Sequence, residues 1–346
     1  MFKNVKDFNV KEKRILVRCD FNIPFSKEGK VKDDFRIRQT LPTIEYLKEK
    51  EAKIILISHL GRPAGEFNKK YSLKPVAERL EVLLKQKVKF LDDCIGEKIE
   101  KETEKISPGE TVLLENLRFY KEEEENDEFF AKKLSSLGDI FINDAFGASH
   151  RAHASISGIV KFLPSGTGFL LEKEFKTLNG LATNPEKPLI VIIGGKKVGT
   201  KSGVIDKISK NADSILIGDL IKSEIENKKI RLKDAQKIIE PIDNIDTFDI
   251  GPKTINLFKE KIKTAKTVFW SGPLGMIEKE KYQKGSEEIA RAIINSGSFS
   301  VIGGGETIEF INKLDLTSKF SFVSTGGGAM LEFLSGEKLP GIEALK

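Results

Sequence analysis

Short aliphatic runs alternate with longer amphipathic segments from one end of the chain to the other. The runs are dominated by Ile, Val, Leu and Phe, as in KIILIS and LIVII. Uninterrupted apolar runs of this kind are typical of strands that are buried on both faces of a parallel sheet. Nine strands are predicted on this basis, at 14–20, 53–58, 111–115, 139–143, 189–193, 214–218, 266–270, 298–302 and 319–323.

The segments between most of these runs have the periodicity of amphipathic helices. When strands and helices alternate over a whole chain, the strands pair in parallel and the helices cover both faces of the sheet. The sequence therefore predicts an α/β protein built from doubly wound parallel sheets of the Rossmann type. In the helix predicted at 72–86, one face is formed by Leu73, Val76, Ala77, Leu80 and Leu84.

The length of 346 residues predicts two such domains, because a single hydrophobic core rarely grows beyond about 250–300 residues. The segment 164–188 begins and ends with proline and has room for one helix. It is therefore the best position for a connection between domains. We expect a first domain at 1–170, a hinge helix and linker at 171–188, and a second domain at 189–334.

The composition is typical of a soluble protein of a reducing compartment. The chain is 39% hydrophobic and 32% charged. Its aliphatic runs fall far short of the roughly 18 residues of a membrane span, and its start lacks the apolar core of a signal peptide. Cys19 and Cys94 have no neighbouring cysteine and are expected to be free thiols. We expect a cytoplasmic monomer that has no structural metal site and does not bind a membrane.

The net charge of +6 raises the alternative of a nucleic-acid-binding protein, which would bind polyanions with a steep dependence on salt. Most of the basic residues are scattered lysines, without the basic clusters interleaved with aromatics that such a function favours. The arginines are distributed differently, because eight of the ten lie in the first 151 residues. Arginine binds phosphate and carboxylate bidentately. We therefore expect the first half to bind a small anion, and nucleic acid is not expected as a partner.

The anion site is predicted at the carboxyl ends of the first-domain strands, where doubly wound folds bind their ligands. Arginine or histidine lies at four of these strand ends, and all three histidines of the protein lie in two of them. Any one such residue is explained as a helix cap or a solvated side chain, but four strand ends with the same chemistry indicate a strongly anionic ligand. The four strand ends are RCDFN, SHLGR, ENLRF and NDAFGASHRAHAS.

The second half has glycine at its strand ends in place of arginine. Glycine allows backbone N–H groups to approach phosphate oxygens, and the following helix adds its positive N-terminal dipole. Lys197, Lys201 and Glu306 lie near these glycines in the sequence, which favours a nucleotide-phosphate site with a metal ion. A dinucleotide fold is not favoured, because no G-x-G-x-x-G follows a strand. The glycine-rich strand ends are IIGGKK, WSGPLG, IGGGET and STGGGAMLE.

The segment GGKKVGTKS at 194–202 nearly matches the phosphate loop of nucleotide triphosphatases. That loop requires Gly-Lys-Ser/Thr without a gap, whereas here Thr200 separates Gly199 from Lys201. One inserted residue rotates a helical side chain by about 100°. The segment therefore resembles the phosphate loop in composition, but its lysine and its hydroxyl residue are out of register with that loop.

Nine segments together resemble the phosphoglycerate kinase family, in the family's order and over nearly the whole chain. The resemblance implies a kinase of glycolysis that transfers a phosphoryl group reversibly between 1,3-bisphosphoglycerate and ADP, giving 3-phosphoglycerate and ATP with Mg²⁺. It also implies that the tail at 335–346 packs back on the first domain. The segments are RCDFNIP, RIRQTLPTI, SHLGRP, LLENLRFY, FINDAFGASHRAHAS, GFLLEKE, DIGPKT, GGGET and STGGGAMLEFLSGEKLPG.

The resemblance also implies which residues form the two binding sites. Those expected to bind the glycerate substrate are Asp20, Asn22, Arg36, His59, Arg62, Arg118 and Arg151. Those expected to bind the nucleotide are Lys197, Lys201, Glu278, Gly304, Gly305, Glu306 and Thr307.

Phosphoryl transfer to a carboxylate requires no general base, because the acceptor is already ionised at neutral pH. The reaction requires in-line placement of two anions and compensation of charge on the migrating group. We expect Arg36, Lys197 and a Mg²⁺ ion held near Glu306 to supply that compensation.

The chain departs from the family pattern mainly in its second half. The segment after Gly218, which in the family builds part of the adenine pocket, is shortened to about a helix and a strand, and Asp219 follows where the family has glycine. Thr200, Ser271 and Glu306 also replace the family's usual residues. The alternative is therefore a related binding protein with weakened or altered use of nucleotide.

Overall fold

A computed structural model describes residues 2–195 and 201–346 and contains two six-stranded sheets, each parallel throughout. The first sheet has the spatial order β3-β4-β2-β1-β5-β6. Its strands are β1 (Arg14–Arg18), β2 (Lys53–Ile57), β3 (Val88–Leu91), β4 (Thr111–Leu114), β5 (Ile140–Asn143) and β6 (Ser165–Thr167).

Helices cover both faces of this first sheet. Along β1, Ile15 and Val17 pack into one hydrophobic core and Leu16 packs into another on the opposite face, and all three are completely buried. This two-sided burial is the reason for the uninterrupted aliphatic runs. The helices that accompany the first sheet are α1 (Phe35–Glu49), α2 (Lys74–Leu84), α3 (Glu97–Glu104), α4 (Lys121–Glu124), α5 (Glu128–Ser135) and the start of α6 (Phe169–Thr183).

The second sheet has the order β14-β13-β12-β7-β8-β9, and a separate two-stranded hairpin pairs β10 with β11. The strands are β7 (Leu189–Ile193), β8 (Ser214–Ile217), β9 (Ile238–Ile239), β10 (Asn244–Ile245), β11 (Asp249–Ile250), β12 (Thr267–Ser271), β13 (Phe299–Gly303) and β14 (Phe322–Val323). The helices are α7 (Ser202–Ile208), α8 (Asp219–Asn227), α9 (Pro252–Lys263), α10 (Lys284–Ser296), α11 (Gly305–Lys313) and α12 (Gly328–Ser335).

The predicted α/β class with two doubly wound parallel sheets is confirmed, and each of the nine predicted strands is present. Two strands of the first sheet were missed. Val88–Leu91 carries an exposed lysine at its second position, and Ser165–Thr167 has no aliphatic residue at all. Both lie at edges of the sheet. An edge strand pairs with a neighbour on one side only, so it can be less completely buried and less apolar than a central strand.

The chain divides into two compact units. One contains the residues up to Phe175 together with Lys338–Lys346, and the other contains Lys176–Glu337. Within the first unit, the returning C-terminal segment contains the short helix α13 (Pro340–Glu343). In this helix the Gly341 N–H donates to the Ser149 carbonyl oxygen at 2.9 Å. Each helix in the described part of the chain is too short or too polar to span a bilayer.

Candidate active site

The parallel register brings the carboxyl ends of the first-unit strands to one edge. Arg18, the last residue of β1, pairs with Ile57 of β2 and with Asn143 of β5. The residues that follow these three therefore project from the same edge, as the strand-end pattern requires.

Arg36, at the start of α1, is held by the loop that follows β1. Its Nη1 donates to the Asp20 carboxylate and to the Asn22 carbonyl oxygen, both at 3.0 Å. The Asp20 side chain is 5% accessible, whereas that of Arg36 is 28% accessible. A buried carboxylate therefore orients a partly accessible cation.

Gly61 connects this loop to Arg118, and Glu124 in turn lies between Arg118 and Arg151. Its N–H donates to Asn22 Oδ1 at 3.0 Å, and its carbonyl oxygen accepts from Arg118 Nη1 at 2.7 Å. Glu124 Oε1 lies 3.2 Å from Arg118 Nε and 4.0 Å from Arg151 Nη1. Burial lowers the pKa of Arg118 to about 10, so its guanidinium remains charged at neutral pH. Four strand ends are thus joined by contacts.

His59 follows β2 and is almost completely buried within this cluster. Its pKa lies well below the ordinary value, first because of burial and then because Arg18, Arg118 and Arg36 are positively charged. His59 is therefore a neutral imidazole at physiological pH. Arg62 lies exposed three residues further on, and it forms no salt bridge with any residue that the structure describes.

Arg18, Glu123 and Ser155 form a buried group of contacts that the sequence pattern did not reveal. Arg18 is completely buried and lies beside Glu123 and Ser155, which are also completely buried. Glu123 belongs to the run KEEEEN, which has the composition of a solvated helix. Nothing in the local sequence distinguishes Glu123 from its exposed neighbours.

The second-unit sheet carries a row of glycines at its carboxyl edge. Ile193 pairs with Ile217 and Ser271, and Ser271 pairs with Gly303. The next residue on each of these four strands is glycine, and the row comprises Gly194, Gly218, Gly272 and Gly304.

The backbones of β7 and β12 approach each other too closely for side chains in this row. A Cβ atom on Gly272 would lie 2.1 Å from the Gly194 carbonyl oxygen, and one on Gly194 would lie 2.2 Å from the Pro273 carbonyl oxygen. Gly272 also has φ +90°, which side chains disfavour. Only glycine fits at these two positions. Both residues are buried, and their N–H groups already donate within the protein, from Gly194 to the Ser271 carbonyl oxygen and from Gly272 to the Thr307 side-chain oxygen.

Lys201 lies against this glycine row. It is 8% exposed, and its Nζ donates to the Gly194 carbonyl oxygen. Burial lowers the pKa of Lys201, and the nearby carboxylate of Glu306 opposes that shift. Lys197, the other predicted lysine, lies outside the described residues.

The start of α11 is tied to the same row. The Thr307 side-chain oxygen accepts from the Gly272 N–H at 2.9 Å, and Gly304 and Gly305 form the first turn with Glu306 exposed beside them. A single exposed carboxylate fits a Mg²⁺ ion that takes its other ligands from phosphate and water. No group of three or more metal-ligating side chains occurs in residues 2–195 and 201–346. Glu278 lies exposed in the loop after β12.

The segment after Gly218 is short and polar where it meets the sheet edge. It contains α8, the two-residue strand β9 and the β10–β11 hairpin, so the prediction of a helix and a strand missed the hairpin. Asp219, the first residue of α8, is 6% exposed, and its Oδ2 has no hydrogen-bond partner among the described residues. Burial raises the pKa of this carboxyl to about 6.

The chain matches the family model described as phosphoglycerate kinase over residues 5–225 and 220–337. The two matched segments overlap at residues 220–225, within α8. Curated relatives named phosphoglycerate kinase include one from Borrelia garinii subsp. bavariensis, 47% identical with 99% of each chain covered, and one from Dictyoglomus turgidum, 44% identical with 99% of this chain and 98% of the relative covered.

The alignment with the Borrelia garinii relative spans 390 positions, 44 more than the 346 residues of this chain. This chain therefore lacks residues that the relative has.

Solved structures of phosphoglycerate kinases have the same fold. The structure from Pyrococcus horikoshii OT3 has a TM-score of 0.89 at 32% identity, with 100% of this chain and 98% of that chain covered. The structure from Coxiella burnetii has a TM-score of 0.85 at 33% identity, with 100% and 99% covered. With the family model spanning both units and relatives similar over almost their whole length, this chain belongs to the phosphoglycerate kinase family.

Proposed function

We propose that this protein transfers a phosphoryl group reversibly between 1,3-bisphosphoglycerate and Mg²⁺-ADP, giving 3-phosphoglycerate and ATP. The observation that carries the proposal is the chemistry of the two sheet edges. One edge gathers arginines and a neutral histidine, and the other combines a glycine row with a buried lysine. A small multivalent anion fits the first edge, and nucleotide phosphates fit the second.

In the first unit we assign the glycerate phosphate and carboxylate to the arginine cluster, which comprises Arg36, Arg62, Arg118 and Arg151. Arg62 and Arg151 have accessible side chains, and Arg118 adds a buried charge behind them. Asp20 has a different role, because a carboxylate would repel the anion. Asp20 orients Arg36, and we assign Asn22 to the polar part of the substrate.

In the second unit we assign the nucleotide phosphates to the start of α11, where Gly304 and Gly305 are the accessible glycines, and to Lys201. The Lys201 ammonium is now held by one carbonyl oxygen, and a phosphate oxygen would be a stronger acceptor for it. Lys197, Thr307 and Glu278 complete the residues that we assign to the nucleotide. Glu306 would hold a bound Mg²⁺, which would neutralise charge on the nucleotide phosphates.

Catalysis in this assignment depends on placement and charge and not on proton transfer. The acceptor carboxylate of 3-phosphoglycerate is ionised at neutral pH, so no general base is required. Arg36 is the group that we assign to the charge of the migrating phosphoryl, because a buried carboxylate already fixes its position.

The buried free thiols of Cys19 and Cys94 support the cytoplasmic location that we propose for this enzyme, which we also propose to be a monomer.

Calorimetric titration of 3-phosphoglycerate and of Mg²⁺-ADP, each alone, followed by a coupled kinase assay, tests the proposal. We expect both ligands to bind and turnover to occur. Binding of 3-phosphoglycerate without turnover would instead favour a related binding protein. Binding of neither ligand, with strongly salt-dependent binding of polyanions, would favour a nucleic-acid-binding protein.

Alanine at Arg62 or at Arg151 is expected to weaken 3-phosphoglycerate binding by about 1.5 to 3 kcal/mol, as for loss of a charge-assisted hydrogen bond. Calorimetry on each variant measures the effect. Arg79→Ala is the matched control, because Arg79 pairs with Asp34 and makes no contact with the arginine cluster among the described residues. Unchanged affinity in both test variants would remove them from the anion site.

ADP and GDP are expected to be used with efficiencies within about tenfold of each other, a difference of roughly 1.4 kcal/mol. The two segments of the family match meet within α8, beside the strand end where the resemblance places the wall of the base pocket. Losing apolar wall reduces base discrimination before it reduces phosphate affinity. Steady-state kinetics with both nucleotides at saturating Mg²⁺ measures the ratio. A preference for ADP above about a hundredfold would show that other residues rebuild the wall.

A further inference from the structure

Arg18 has its hydrogen-bonding donors directed into the protein. Its Nε donates to Ser155 Oγ at 2.8 Å, its Nη1 donates to the Cys19 carbonyl oxygen, and its Nη2 lies 3.0 Å from His59 Nδ1. The side chain is completely buried. An arginine used in this way has no accessible surface for a substrate anion.

The contact with His59 determines which ring nitrogen carries the proton. A guanidinium has only donors, so Nδ1 must be the acceptor in this hydrogen bond. In a neutral imidazole, the proton then belongs to Nε2. The positive charge of Arg18 also disfavours a second proton on the ring, in the same direction as burial.

Arg18 is itself held by Ser155 and Glu123. Glu123 Oε1 lies 3.9 Å from Arg18 Nη2 and accepts from Ser155 Oγ at 2.6 Å, while Glu123 Oε2 accepts from the Ser155 N–H at 2.9 Å. All these side chains are completely buried. Glu123 therefore fixes Ser155, and together they fix the guanidinium that faces His59.

We propose that Arg18 is a positioning residue: it holds His59 as the neutral Nε2–H tautomer, so that Nε2–H is the donor offered to the glycerate anion. Arg18 does not bind the anion itself. The inference rests on the proposed function for the identity of that anion. The other groups that act on the ring's charge are Arg118, Arg36 and His153, and all three also disfavour a charged ring.

The first test needs no variant, because the protein has only three histidines to assign. In ¹⁵N–¹H NMR spectra at pH 7, we expect His59 to show an unprotonated Nδ1 and a protonated Nε2. A protonated Nδ1 or an imidazolium would overturn the proposal. Adding 3-phosphoglycerate should shift the His59 Nε2–H resonance. If no shift occurs at a 3-phosphoglycerate concentration that calorimetry shows to be saturating, His59 is not a donor to this anion and the proposal is overturned. If calorimetry shows no binding of 3-phosphoglycerate, the proposed function fails instead, and the tautomer of His59 alone tests the role of Arg18.

A double-mutant cycle then separates positioning from direct binding. Arg18→Met should weaken 3-phosphoglycerate binding about tenfold in the wild-type background and have no further effect in His59→Ala, because Arg18 acts through the ring. Additive losses would show that Arg18 binds the anion directly. Arg14→Met is the matched control on the same strand, since Arg14 pairs with Asp139. If Arg18→Met does not fold, Ser155→Ala loosens the same guanidinium, and mixed tautomers of His59 are then expected.

Discussion

Alanine at Arg36 is expected to lower kcat by about 10²–10³-fold, or roughly 2.7 to 4 kcal/mol of transition-state stabilisation. The reason is preorganisation, because Asp20 and the Asn22 carbonyl oxygen already hold the guanidinium at 3.0 Å before substrate arrives. A cation fixed in advance stabilises charge that develops in the transition state more than charge present in the ground state. The rise in KM for 3-phosphoglycerate should therefore be smaller than the fall in kcat.

Two further variants sharpen this measurement. Arg36→Lys keeps the charge but lacks the planar fork, and we expect an intermediate kcat. Arg38→Ala removes an arginine two residues away on the same helix, where it pairs with Asp34 at a half-exposed position, and we expect near wild-type kinetics. If Arg36→Ala raised KM and left kcat unchanged, Arg36 would belong to ground-state binding only.

Asparagine at Asp144 is expected to make stability less dependent on pH. Asp144 is completely buried after β5, and its Oδ1 accepts from the Leu171 N–H in the first turn of α6 at 3.1 Å. Its Oδ2 has no hydrogen-bond partner among the described residues. Burial raises the pKa of this carboxyl from 3.8 to about 7.

The sign of the effect follows from proton binding. Between pH 4 and 7 the folded state keeps the Asp144 proton while the unfolded state is ionised, so stability falls as pH rises through this range. Asparagine keeps the acceptor for Leu171 and has no charge to bury. We expect the free energy of unfolding of Asp144→Asn, relative to wild type, to rise by roughly 2 to 3 kcal/mol between pH 5 and 8.

Urea unfolding at several pH values measures this difference by circular dichroism, with fluorescence of Trp270, the single tryptophan, following the second unit. Asp315→Asn is the matched control, because Asp315 is exposed and has a left-handed φ of +55° that asparagine also adopts. A relative stability that stays constant with pH would mean that the Asp144 carboxyl does not change its proton affinity on folding.

The confirmed predictions concern features that follow from local sequence. Strands buried on both faces must be continuously apolar, so β1, β2 and β7 were recognisable from their aliphatic runs. The family followed from motifs at the ends of such strands. Ser165–Thr167 was not recognisable, because it becomes a strand only through pairing with β5.

Local sequence also specified which residue types gather at each sheet edge, since parallel strands place their carboxyl ends together. It did not determine which of those residues face a ligand. Arg18 and Arg36 both lie near the first strand and look equivalent in the sequence. Only packing separates them: Arg18 contacts Ser155, which lies 137 residues away, and is completely buried, whereas Arg36 stays partly accessible. The glycine row likewise depends on strand register, which long-range pairing fixes and local sequence does not.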